Sequence, residues 1–294
     1  MALRTVITER QRRLGAELRK LRINAGLSIA EGGKLIGMGT PHLSHIEAGR
    51  TAIPTERLRK LVHAYGCNDG PYIDELVSMA ESNGRGWWSA YRKALPQSIV
   101  DLAELESRAT ALRNYQTLLI PGLLQTESYM RALFRSARPD ESPEKVEAQV
   151  RFRLSRQDLL NKDAVTFHAV IHEAALRMVV GGSHVMRGQL THLIRMSMKP
   201  GVTIQVLPFE VGVRAWYSTP FMLLSCGIPG LETVSAEHPS GSLWLGDADS
   251  LAQYGATFSG LSNSALPPVV ANESPEIHEE RDSWGLIHHI LYTH

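Results

Sequence analysis

At 294 residues with 43% apolar content, the chain is long enough for one large globular domain or two ordinary ones. It has no apolar run near the roughly 20 residues that span a bilayer, no secretion-signal core in MALRTVITERQRR, and only two cysteines, Cys67 and Cys226, which form no metal or disulfide pattern. A reduced cytoplasmic protein is expected, and its net charge of +1 is split: residues 1–66 carry 12 Lys/Arg against 5 Asp/Glu, and the remainder 19 against 25.

The first predicted elements lie in Leu14 to Arg50, LGAELRKLRINAGLSIAEGGKLIGMGTPHLSHIEAGR. Leu14, Leu18 and Leu21 recur at helical spacing, and Ala25-Gly26 ends that helix. Ser28 is placed to cap a short second helix by accepting a backbone N–H. Gly37 breaks it after Leu35 and Ile36. Thr40 and Pro41 open a third helix, where proline loses no N–H partner. Leu43 and Ile46 face inward from it, and Gly49 ends it. One helix, a break, a short helix, a tight turn and a second short helix is the layout of a helix-turn-helix, whose second short helix enters the DNA major groove. Gly33 is expected where two short helices cross closely. Gly32 has no evident role, and two glycines weaken the helix by roughly 1–2 kcal/mol. The basic residues Arg10, Arg12, Arg13, Arg19 and Lys20 crowd the first helix, and Arg50, Arg57, Arg59 and Lys60 follow the third. Such a basic end attracts phosphate backbones without sequence preference.

These residues resemble the Cro/phage-repressor, or XRE-like, helix-turn-helix, whose recognition helix commonly ends as SHIEAGR does at 44–50. The resemblance implies that Thr40, Pro41 and His45 face bases, with His42 and Ser44 beside them. It also implies a semi-buried ion pair between Arg22 and Glu47. Ile29 stands where that family usually has a phosphate-fixing glutamine, so that contact is absent here or falls to a backbone N–H.

Two further helices, TERLRKLVHA (55–64) and DGPYIDELVSMA (69–80), complete a helical bundle. SNGRGWW (82–88) reads as a loop, with Trp87 and Trp88 docking it onto the protein's own second domain. Residues 98–162 read as helices around a loop, including VDLAELESRATALRNYQ and a long amphipathic helix capped by Ser142. The period then changes. VTFHAVI (165–171), VTIQVLP (202–208), PFMLLSC (220–226) and, more weakly, ETVSAEH (232–238) suit strands. A helix at 184–198 lies between the first two, giving an α/β layer. A capped helix at 246–261, a loop at 267–275 and a last amphipathic helix at 281–292 follow. The fold class is therefore α+β overall. An all-α helix-turn-helix bundle over 1–83 and a Trp-pair linker over 84–97 precede a larger α/β sensor-like regulatory domain over 98–294.

YQTLLIPGLLQTESYMRALF, RLSRQDLL, HEAALRMVVGG, VMRGQLTHLI and VTIQVLPFEVG resemble the domain of unknown function that follows the helix-turn-helix in WhiJ-type, antitoxin-like actinobacterial regulators. That resemblance implies transcriptional repression or activation and a small partner protein encoded nearby.

Enzyme motifs are weak. HAVIHE at 168–173 is not the HExxH spacing, although His168 and His172 share one face if 165–171 is a strand. GGS at 181–183 is no phosphate loop, Ser225-Cys226-Gly227 no nucleophile elbow, and His288, His289 and His294 offer at most an adventitious metal site. No catalytic, cofactor-binding or metal-binding residue is assigned, and the protein is not expected to be an enzyme. The expected DNA-binding residues are Thr40, Pro41, His42, Ser44, His45 and Arg50. The expected partner is a double-stranded palindromic operator bound by a homodimer, with no membrane. The second domain is expected to bind the small partner protein. Alternatively it senses a small molecule in a cavity lined by residues such as Trp216, Phe221, Met222 and Leu224.

Overall fold

The computed structural model describes residues 3–215, 219–238, 241–270 and 281–294. The chain divides into two compact units, residues 1–92 with 96–105, and residues 93–95 with 106–294. The boundaries drawn from the sequence run differently, because residues 96–105 go with the first unit.

The first unit holds α1 (Glu9–Asn24), α2 (Ile29–Lys34), α3 (Thr40–Glu47), α4 (Thr55–Ala64), α5 (Gly70–Glu81) and most of α6 (Gln97–Glu106). Local chemistry sets the starts of the first two. Thr8 and Ser28 each accept from the backbone N–H three residues on, and Gln11 and Glu31 reach back to the cap N–H. Gly26, Gly37 and Gly49 take φ near +70°, +64° and +70° where the turns demand a left-handed backbone. Leu18, Leu43, Leu58, Leu61, Val62 and Leu76 are fully buried and make the core. Trp88 docks on its own loop: its Nε1–H donates to the Gly84 carbonyl at 3.2 Å, and its ring fills the place where a Gly86 side chain would stand.

The second unit is built on a six-stranded mixed sheet ordered β3-β2-β1-β4-β5-β6. The strands are β1 (Ala111–Gln116), β2 (Thr166–His172), β3 (Val202–Leu207), β4 (Phe221–Ser225), β5 (Thr233–His238) and β6 (Gly241–Leu245). β1, β2 and β3 run parallel, while β4, β5 and β6 add antiparallel. Parallel neighbours need long crossovers. Helices α7 (Glu127–Ala137) and α8 (Pro143–Gln157) lie between β1 and β2; α9 (Glu173–Arg177) and α10 (Ser183–Ser197) lie between β2 and β3. On β2, Phe167, Ala169, Val170 and Ile171 are all at most 1% exposed, so both faces of the sheet are covered. Helix α11 (Ala248–Ser264), capped by Asp247, places Phe258 and Leu261 against Tyr115, Val170, Phe221 and Val234 on one face. Helix α12 (Ser283–Thr293) packs beside α10 and β3.

Two strands depart from the sequence reading. Residues 111–116 form β1 where a helix was expected, and β6 was not expected at all. β1 is central, with Leu112 and Asn114 buried on one face and Tyr115 on the other, so it shows no period-2 alternation. The segment after α11 returns along the outer edge of β3: Leu266 N–H donates to the Val206 carbonyl and Val269 N–H to the Ile204 carbonyl, both at 2.9 Å. No helix among the described residues is long and apolar enough to cross a membrane.

Candidate nucleic-acid interface

Helix α3 follows the turn that ends α2, and its inward face is fixed by Leu43 and Ile46, 0% and 2% exposed. Helical geometry then turns Thr40, Pro41 and Ser44 outward, and all three are exposed, while His42 and His45 are half-buried beside them. Arg50 is exposed just past the helix end, and its N–H donates to the His45 carbonyl at 2.8 Å. Arg4 ties the N-terminal segment to the same turn. Its N–H donates to the Arg50 carbonyl at 2.9 Å and its guanidinium to the Gly49 carbonyl at 2.8 Å.

Arg22 near the end of α1 and Glu47 at the end of α3 form a two-pronged pair, Nε to Oε1 at 2.7 Å and Nη2 to Oε2 at 2.9 Å. Their side chains are 10% and 5% exposed. Arg22 also donates through Nη1 to the Leu27 carbonyl at 2.8 Å, which fastens the α1–α2 turn to the same group. The hydrogen bond to Glu47 raises the Arg22 pKa above its usual value. The Tyr65 hydroxyl beside them is buried and makes no hydrogen bond among the described residues, and burial pushes its pKa up to about 12.

The glycines do not act where the sequence placed them. A Cβ on Gly15 of α1 would stand 2.3 Å from the Glu47 carbonyl oxygen, so Gly15 is the residue that lets α1 and α3 approach. A Cβ on Gly33 would meet the Met38 carbonyl oxygen at 2.4 Å, so Gly33 serves the turn rather than a helix crossing. Gly32, without evident role in the sequence, leaves room for the Tyr65 hydroxyl and the Arg22 stem; its Cβ would meet them at 2.6 and 2.8 Å. Ile29 is half-buried at the first position of α2.

The basic face is also thinner than composition suggests. Arg10 is 3% exposed, donating to Glu75 at 3.0 Å and Ser78 at 2.9 Å, and Arg13 pairs with Glu17 at 3.0 Å, both groups nearly buried. These two arginines hold α1 to the bundle and are not available to phosphates. Arg59 is partly engaged by Asp74 at 2.7 Å. Arg19, Lys20, Lys34, Arg50, Arg57 and Lys60 remain exposed.

In the second unit the histidines do separate structural jobs. His168 Nε2 shares a 2.7 Å hydrogen bond with Gln205, and burial lowers its pKa. His172 ends β2, and its Nδ1 accepts from the Ala174 N–H at 3.1 Å, capping α9. His294 contacts the Leu176 carbonyl at 3.3 Å. Among the described residues no three of His, Cys, Asp and Glu are grouped to hold a metal. Phe221, Met222 and Leu224 are sheet core, and Trp216 lies outside the described residues.

A family model of a helix-turn-helix domain matches residues 13–76, and one of a domain of unknown function, DUF5753, matches residues 99–273. No curated protein and no solved structure matches the chain. The first match runs from within α1 through α4 into α5 and includes the Arg22–Glu47 pair, and it supports DNA binding by the first unit.

Proposed function

We propose, for a chain that belongs to the DUF5753 family and carries a helix-turn-helix domain ahead of it, a sequence-specific transcriptional regulator whose helix α3 reads base edges. The observation that carries this reading is the outward row of Thr40, Pro41 and Ser44, flanked by His42 and His45, on a helix whose other face is locked into the core. Motifs of this kind act as dimers on two half-sites about one helical turn apart, so a homodimer on a palindromic operator is the expected complex. The second unit supplies the regulatory input. One reading is a small partner protein that docks there; the other is a small molecule.

The test is an operator selected from random duplexes, followed by titration of variants. His45→Ala is expected to weaken binding to that operator by about 1–3 kcal/mol and to relax preference at one or two base pairs. Equal losses on operator and on random duplex would remove His45 from base readout. Failure to select any sequence would sink the proposal as a whole.

Arg50 has a different expected role. It is exposed beside the groove helix, so Arg50→Ala should weaken binding to all sequences about equally and lower the slope of log K against log salt by about 1. A salt titration that leaves the slope unchanged would exclude a phosphate contact.

A further inference from the structure

The loop after β1 and helix α8 meet beside the carboxyl end of β1. This is where the sheet's order reverses, because β1 has parallel β2 on one side and antiparallel β4 on the other. Two arginines of α8 converge on the loop there.

Arg153 is half-buried and pairs with no carboxylate among the described residues. Its Nη1 donates to the neutral Gln125 side-chain oxygen at 2.5 Å, and its guanidinium carbon lies 4.6 Å from the Phe134 ring centroid. That arrangement fixes the plane of the group and leaves its Nε–Nη2 edge without an acceptor among the described residues. Arg156 is 8% exposed and spends Nε and Nη2 on Glu106, at 2.8 and 2.6 Å. Its Nη1 makes no hydrogen bond among the described residues. Between the two stands Gly122: a Cβ there would lie 3.7 Å from Arg153 Nε and 3.8 Å from Arg156 Nη1. A side chain there would rest in ordinary contact with both groups, so the bare glycine leaves the space in front of these donors uncovered.

The electrostatics agree with the geometry. The Glu106 carboxylate is spent on Arg156, and Arg153 is left with longer-range attraction from Glu237 and Glu106. Burial, and next the charge of Arg156, push the Arg153 pKa down to about 10, while Glu237, Tyr129 and Glu106 act in the opposite sense. Arg153 therefore remains charged at neutral pH in surroundings that resist the charge. An anion in the space beside Gly122 would offset the burial of Arg153 and take up Nη1 of Arg156, whose burial is already outweighed by Glu106 and Glu237 so that its pKa lies above the usual value.

We propose that this space binds the oxyanion of a small molecule, a carboxylate or phosphate group, on the Nε–Nη2 edge of Arg153 and Nη1 of Arg156. The inference rests on the small-molecule reading of the second unit for its regulatory meaning, but binding at the site can be measured without DNA.

The full chain is titrated with sodium succinate and with inorganic phosphate against chloride at matched ionic strength, following Tm and heat of binding. One or both probes should raise Tm saturably, by about 3–5 °C at tenfold excess over Kd. A response to phosphate alone or to succinate alone identifies the source of the anion. Arg153→Gln should lower affinity about tenfold or more, because a neutral amide cannot replace a charge-assisted pair of bonds. Gly122→Val should do the same without changing charge, by filling the space, and it serves if Arg153→Gln fails to fold. Arg108→Gln, at an exposed residue, should bind as the parent does. No saturable response to either probe, or equal binding by both site variants, overturns the site and leaves DNA recognition untouched. Saturable binding lost in the variants, together with altered operator affinity in the parent, supports both site and regulatory reading. The same binding without altered operator affinity supports the anion site and removes its role in regulation.

Discussion

Replacing Glu47 with alanine is expected to destabilise the first unit by about 3–5 kcal/mol, because it strands a buried guanidinium. Both side chains of the Arg22–Glu47 pair are at most 10% exposed and both prongs are short, so little water can compensate the orphaned charge. Urea unfolding of the full chain, read through a probe in the first unit, measures the loss. DNA affinity should fall with it, since the pair spans α1 and α3. The double variant Arg22→Met/Glu47→Leu should recover part of that stability, as apolar groups of similar size leave no charge behind. Recovery stops short of complete because Arg22 also satisfies the Leu27 carbonyl. Losses that simply add in the double variant would show that the two residues are not coupled.

The second large effect is expected at Gly15. An alanine in an isolated helix would gain about 1 kcal/mol over glycine. Here its Cβ would stand 2.3 Å from the Glu47 carbonyl oxygen and 2.9 Å from that of Ile46, both main-chain atoms that cannot swing aside. The helices must separate, and overpacking of this kind costs about 1–3 kcal/mol. Gly15→Ala should therefore lower Tm and weaken operator binding, while Gly26→Asn, in an open turn with φ near +70°, should be tolerated. Unchanged Tm and affinity in Gly15→Ala would mean that α1 and α3 do not approach so closely in solution.

Much of the first unit is legible because its signals are local. The cap at Ser28, breaks at Gly26 and Gly37, and the apolar spacing of Leu14 and Leu18 need only a few neighbouring residues to interpret. What required the fold was long-range. Arg10 and Arg13 read as phosphate ligands until Glu75, Ser78 and Glu17 are seen to hold them. Gly15 and Gly32 owe their roles to Glu47 and Tyr65, distant along the chain. The strand at 111–116 carries Arg113 and Asn114, residues that no strand pattern favours. It is a strand because β2 and β4 flank it. Arg153 and Arg156 gave no signal at all, since their meaning depends on a glycine in another loop.

The return of residues 266–269 along β3 makes the sheet unequal at its two ends. On that side the Ile204 and Val206 carbonyls already accept from Val269 and Leu266, and the Val206 N–H donates to Ser283. On the other, β6 carries half-exposed Leu243, and among the described residues nothing pairs with its outer edge. Unpaired edges template the addition of foreign strands. Any fibrous self-association of a destabilised variant should thus grow in one direction, from β6, and a lysine at Leu243 should slow it where the same charge near Val269 does not.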